Sequence, residues 1–378
     1  MTTYKTIHPV KQQMTAKRGI CRSIAMAAAS LCLFAAITGC TSSAARFTGA
    51  SQGSVLRPIM LESESQHSSP GQSSDSAEDS TEAVTSSPTL SCNYYIEKEF
   101  MASIEDAGHR GDTGTGNGAP PGSRKNGAVE AGSAENNLAV SSGRIVGGIT
   151  PHHLLAAKMI AGFFRELSDN PPKTIIVIGP NHKRRGFSGL QTSSHAWATP
   201  FGRLEADTET VKMLVGKLNA EENNSVMQDE HSISALVPYI RYYMPDVRIV
   251  PILLHGNYSS ADSLKLGKLL GKIAADDPGS FLIIASVDFS HYLDADTAYK
   301  MDDITLEAIK NNDIPAISRM SNDNMDSPPS IITLLGAMDE ADTADPETAG
   351  HSNSSDITGS GYDNTTSYFT MFFRYNDK

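Results

Sequence analysis

Four polar clusters hold the side chains best suited to chemistry: Pro151-His152-His153, Pro180-Asn181-His182, Asp288-Phe289-Ser290-His291 and Asp229-Glu230-His231-Ser232. The first three directly follow the apolar runs "RIVGGIT", "TIIVIG" and "FLIIASV", and the fourth opens the helix-compatible "ISALVPYIRYYM". Neutral imidazole is the commonest protein ligand for a transition metal. Two histidines with a carboxylate leave positions open for substrate or oxygen. His152 and His182 are the expected metal-binding pair. Singly, each group has a plainer use: a histidine after a strand closes a turn, Glu230 suits a helix N-terminus, and Asp288 suits a turn cap. Repetition favours the chemical reading, because imidazoles gathered in one place repel when protonated and a shared cation or substrate relieves that cost.

Such groups converge only if the elements before them end at one place. After Leu138, short β-branched runs alternate with amphipathic segments, which predicts a doubly wound α/β domain with a largely parallel sheet and helices on both faces. Expected strands are "RIVGGIT", "TIIVIG", "VRIVPILL", "FLIIASV" and "YFTMFFRY". Expected helices are "HLLAAKMIAGFFREL", "TETVKMLVGKL", "SALVPYIRYYM", "ADSLKLGKLLGKIAA", "DDITLEAIKN" and "PSIITLLGAM". Strands nearly continuous in Val, Ile and Leu are those buried on both faces. In an open sheet of this kind the carboxyl ends of the strands line a common crevice.

The front of the chain reads differently. Lys5, Lys11, Lys17, Arg18 and Arg22 precede "IAMAAASLCLFAAITGC", too short and too small-residued for a good membrane span and expected to be a secretory signal over residues 1–39. Residues 40–91 are expected as a disordered Ser-rich tether, having too few large apolar side chains to offset chain entropy. The domain is expected over 92–378, its first ordered element Tyr94 to Ala107, with a disordered Gly- and Pro-rich insertion at about 108–138. A net charge of −12 argues against nucleic acid as a partner.

The ending Ile37-Thr38-Gly39-Cys40 resembles a bacterial lipobox. That resemblance implies a diacylated Cys40 as the first mature residue, an exported protein, and anchoring to the outer face of a bacterial membrane. Cys21 and Cys32 would leave with the signal, so Cys92 would be the remaining thiol and no intrachain disulfide is expected.

"TPHH", "GPNH", "WATPFGRLEAD", "EHSISALVPYI", "SVDFSHY" and "DSPPSIITLL", in that order, resemble the Memo family, known in bacteria as AmmeMemoRadiSam system protein B. The resemblance implies a fold similar to class III extradiol dioxygenases, with non-haem iron at the strand ends. His152 and His182 match metal-ligand histidines of the family, and Glu230, His231, Asp288 and His291 match polar residues of the same pocket. The family's remaining ligand is a cysteine; aligning "DSPPSIITLL" by its isoleucine puts Asp326 there, a hard oxygen donor favouring Fe(II), Mn(II) or Zn(II) over Cu(I). Asp326 also suits a turn or a cap to the helix that follows. His153 stands where the family has alanine and is expected to be a neighbour of the site, not a ligand.

In a catalytic pocket His231 or His291 would move protons, Asp288 would orient one of them, and Glu230 would hold a ligand imidazole from behind. Two functions follow: a metal-dependent redox enzyme, dioxygenase-like, or a non-catalytic module binding a small molecule or peptide. The family name implies AMMECR-like and radical SAM partners, from which a lipid anchor would separate this chain.

Overall fold

The computed structural model describes residues 88–107, 143–361 and 363–376. The expected signal peptide, Cys40, the tether through residue 87 and the insertion at about 108–138 lie outside the described residues. Among the described residues no helix is long and apolar enough to cross a membrane.

The strands are β1 (Thr89–Ser91), β2 (Ile145–Thr150), β3 (Thr174–Pro180), β4 (Leu190–Thr192), β5 (Ala196–Thr199), β6 (Gly202–Leu204), β7 (Glu221–Glu222), β8 (Arg248–Leu254), β9 (Phe281–Ser286), β10 (Phe289–Leu293), β11 (Glu347–Asn353) and β12 (Thr365–Arg374). The helices are α1 (Glu97–Ala107), α2 (Ala157–Leu167), α3 (Thr208–Leu218), α4 (Asn224–Gln228), α5 (His231–Ser234), α6 (Val237–Tyr243), α7 (Ser260–Asp276), α8 (Ala295–Lys310), α9 (Ile314–Ile317), α10 (Pro328–Glu340) and α11 (Ser354–Thr358).

The main sheet runs β10-β12-β2-β9-β3-β8-β4-β7, with β11 added on β12. Its centre, β2-β9-β3-β8, is parallel, while β12 on one side and β4 on the other pair antiparallel. Alternation along β3 shows both faces covered. Ile176 and Ile178 join the core formed with α3, α7, α8 and α10, whereas Ile175 and Val177 join the core formed with α1, α2, α5 and α6. Each such side chain contributes roughly 1.5–3 kcal/mol on burial. On the first face α7 and α10 pack closely enough that a Cβ on Gly267 or Gly271 would collide with the carbonyl oxygens of Thr333 and Ala337.

Several expectations change in detail. The last residues of the expected tether form β1, which pairs in parallel with β5, and Leu90, an apolar side chain late in that polar stretch, is buried. "SALVPYIRYYM" is not one helix, because Pro238, which lacks an N–H, sits in the first turn of α6 and the chain restarts there after α5. The segment before α2 enters as a single 3₁₀ turn, Leu154–Ala156. α8 starts earlier than "DDITLEAIKN", at a cap where the Asp294 carboxylate accepts from Thr297 N. The tight packing of β3 between β9 and β8 delivers Asn181 and His182 at one fixed height above the sheet.

Candidate metal centre

Each polar cluster sits where a strand of the parallel centre ends or where a short helix begins. His152 follows β2 in a turn held by Asp288, whose Oδ1 accepts from the backbone N–H of His152 at 3.1 Å and of His153 at 3.5 Å. The His152 ring is buried. Its Nδ1 lies 3.1 Å from Ser286 Oγ, and that hydroxyl donates its own hydrogen to Ser232 O at 2.5 Å. With its hydrogen spent, Ser286 accepts from Nδ1–H, so Nε2 is the nitrogen turned toward the cluster.

His182 follows β3 and is held by Glu230. Its backbone N–H donates to Glu230 Oε2 at 2.9 Å and its Nδ1 lies 2.8 Å from Oε1. A carboxylate beside Nδ1 fixes the proton there and again leaves Nε2 facing inward. Glu230 also caps α5, accepting from Ser232 N, so the plainer role and the chemical one coexist in one side chain.

Asp326 closes the arrangement. Its Oδ2 is 3.3 Å from His152 Nε2 and 3.5 Å from His182 Nε2. Its backbone N–H donates to Asp288 O at 3.1 Å, and the capping role open to it belongs to the next residue, since Ser327 Oγ accepts from Ser330 N. The ring centroids of His152 and His182 are 5.2 Å apart. His231 stacks on His182 at 4.2 Å, with Nδ1 3.1 Å from Glu230 Oε1, and its ring is partly open to solvent.

Among the described residues two sets bring ligand atoms within 4.8 Å of one another, His152 with His182 and His231, and His152 with Asp288 and Asp326. The donor set fits a divalent cation on a further ground. His152 Nε2 and Asp326 Oδ1 are buried and have no hydrogen-bond partner among the described residues. Such an atom costs about 1–3 kcal/mol unless something else satisfies it.

Charges follow the geometry. Burial opposes the His152 cation, but the Asp288 and Asp326 carboxylates outweigh it and raise its pKa. His182, desolvated yet facing Asp326 and Glu230, is raised to about 10. Burial alone would lift Asp326 and Glu230; their imidazole partners instead hold both well below the usual carboxylate range. His153 is shifted the other way, mainly by desolvation, with Asp288 opposing and the neighbouring imidazoles reinforcing.

Of the expected residues, His152, His182, Asp326, Glu230, His231 and Asp288 come together. His291 does not join either set: it lies on β10 opposite Thr366, its Nδ1 is buried without a partner among the described residues, and Tyr292 is its ring neighbour at 5.7 Å. Asp288 engages His152 and its turn, with Oδ2 3.4 Å from Nε2, in place of the expected orientation of His231 or His291. Ser286 and Tyr368 were not expected. Ser286 was findable, since strand alternation puts it on the same face as Asp288; Tyr368 offered only a phenol in a run of Phe and Met.

The family model described as Memo-like protein matches residues 134–372. A MEMO1 family protein of Pyrobaculum aerophilum is 30% identical over 184 residues, covering 48% of this chain and 65% of that protein. One from Methanococcoides burtonii is 28% identical over 232 residues, 59% of this chain and 85% of its own length. The chain spans 65, 60 and 61% of the lengths of the first three curated relatives it matches. The crystal structure of an uncharacterized protein from Escherichia coli K12 aligns with a TM-score of 0.39 and 12% identity over 60% of this chain and 99% of that one.

Proposed function

Because this chain belongs to the Memo-like protein family, we propose that the cluster beyond β2, β3 and β9 is the divalent-metal centre of a non-haem, dioxygenase-like redox enzyme. His152, His182 and Asp326 would hold the ion. The observation that carries this reading is the approach of two imidazole Nε2 atoms to one carboxylate oxygen, at 3.3 and 3.5 Å, with both Nδ1 atoms committed elsewhere. Two imidazoles and a carboxylate suit Fe(II) best, with Zn(II) and Mn(II) next, and lack the soft donor that Cu(I) selects. When bound, such an ion supplies Lewis acidity and, as Fe(II), electron transfer toward oxygen.

The chain's own residues do the remaining work. Ser286 and Glu230 keep two Nε2 atoms aimed at one point, which removes the cost of reorienting the rings when a ligand arrives. His231, fixed through Nδ1 by Glu230 and partly open to solvent, offers Nε2 as the atom that takes up or gives a proton. Asp288 holds the turn that carries His152.

The same proposal places the protein outside the cytoplasm, tethered by a lipidated Cys40. Support comes from the basic start, the short apolar run and the lipobox-like "ITGC". Small aromatic or amino-acid-like compounds are the proposed substrates, and cytoplasmic AMMECR-like and radical SAM partners fall on the other side of the membrane.

Metal analysis after anaerobic purification tests the centre, with His152→Ala and His182→Ala as controls. About one iron per chain, lost in both variants, is the expected result. A metal-free protein whose ligand binding is unchanged in both variants would instead make the pocket a non-catalytic binding module. Mass spectrometry of the mature N-terminus, with Cys40→Ser as control, tests the anchor.

A further inference from the structure

Resting on that metal-centre reading, we propose that His153 is the residue by which the site recognises its ligand. Tyr368 fixes its imidazole so that Nε2–H is a standing donor to an acceptor oxygen, carboxylate or phenolate, on a molecule bound at the centre.

The direction of each hydrogen bond leads to this assignment. Tyr368 is fully buried, and its phenol oxygen lies 2.6 Å from His153 Nδ1. That is the hydrogen bond the structure gives this phenol, and a buried O–H left without an acceptor is costly, so its hydrogen goes to Nδ1. A ring nitrogen that accepts has no proton, so His153 is a neutral imidazole with its hydrogen on Nε2. Tyr368 is fully buried in β12, which makes it a rigid anchor, while His153 is exposed.

Position completes the argument. His153 adjoins His152 in the turn held by Asp288, whose Oδ1 accepts from both backbone N–H groups. The rings of His152 and His182 are held through Nδ1 by Ser286 and Glu230, and their Nε2 atoms face Asp326 at the proposed metal position. His153 Nε2 has no acceptor among the described residues. Lys183 and Arg184, exposed directly after His182, add positive charge at the same end of the sheet and so suit an anionic oxygen. A donor placed against such an oxygen makes a charge-assisted bond, about twice as strong as a neutral one. His153 is thus a ligand-binding residue and Tyr368 its positioning residue.

The test uses the full chain loaded with Co(II), whose visible absorption reports both metal loading and ligand entry, and oxalate as the probe. His153→Ala and Tyr368→Phe should bind Co(II) within about twofold of the parent, while oxalate affinity falls about tenfold in His153→Ala and less in Tyr368→Phe. Unchanged oxalate affinity in a fully loaded His153→Ala protein would overturn the proposal. Nitrogen NMR of the metal-free chain gives an independent reading: His153 should be the Nε2–H tautomer, turning into a mixture in Tyr368→Phe. An Nδ1–H tautomer in the parent refutes the assigned direction whether or not metal binds. A parent chain that takes up no Co(II) sinks the metal-centre reading, and the tautomer measurement then decides the hydrogen-bond assignment alone.

Discussion

Glu230 grips His182 twice, taking its backbone N–H on Oε2 at 2.9 Å and its ring Nδ1 on Oε1 at 2.8 Å. The two bonds tie the end of β3 to the start of α5, so main chain and imidazole cannot turn independently.

Replacing that carboxylate should therefore weaken the ion's hold more than it weakens the fold. Glu230→Gln is expected to lower Zn(II) or Fe(II) affinity about ten- to a hundredfold, read by competition with a chromophoric chelator. A variant that retains full affinity would show that the clamp is only a helix cap.

Asp326 sets the kind of ion. Asp326→Asn should lose stoichiometric metal, because it removes the negative charge shared by His152 Nε2 and His182 Nε2. Asp326→Cys should keep Zn(II) while moving preference toward soft ions such as Cu(I). Metal competition measured by mass spectrometry separates the two, and a cysteine variant with the parent's preference order would count against Asp326 as a ligand.

Stability of the metal-free protein should peak at mildly acidic pH. His182, raised to about 10 by Asp326 and Glu230, contributes stability that is complete below its unfolded value of about 6.5 and is lost as pH climbs through about 10. Glu230 and Asp326, held low by the same imidazoles, contribute above their ordinary values near 4 and lose that contribution as pH falls through their depressed ones. Thermal unfolding in chelator from pH 3 to 10 should thus show a plateau between about 4.5 and 6.5. Loading metal near neutrality must displace a proton from His182, so calorimetry in buffers of different ionisation enthalpy should register proton release.

Away from the site, the seam between α7 and α10 is the sensitive part of the core. Gly267→Ala puts a methyl group against the Thr333 carbonyl and should cost about 1–3 kcal/mol in denaturant unfolding. Metal stoichiometry of the folded fraction should not change. An unfolding midpoint equal to the parent's would mean the two helices can separate freely.

The central strands and α3 were legible because their residues answer to a single period: "TETVKMLVGKL" coincides with α3, and β3 is apolar throughout because both its faces are covered. The short outer strands were not. β4, β7 and β10 are short and owe their form to neighbours far along the chain, which no local pattern records. Similarly, His152 and His182 stood out as residue types after strand ends, and Asp326 followed from the family resemblance, whereas His291 looked equivalent but stands on β10 opposite Thr366, outside both ligand sets. The tautomers depend on Ser286 and Tyr368, whose partners lie 134 and 215 positions away.

β12 sits between β2 and β10, and its Arg374 bonds back to Gly143 across 231 positions of chain. A polypeptide emerging amino end first has nothing to complete that middle row until residue 365 and beyond arrive, so the pocket's Tyr368 wall is the last to be built. Assembly that waits on contacts so far apart in sequence is slow.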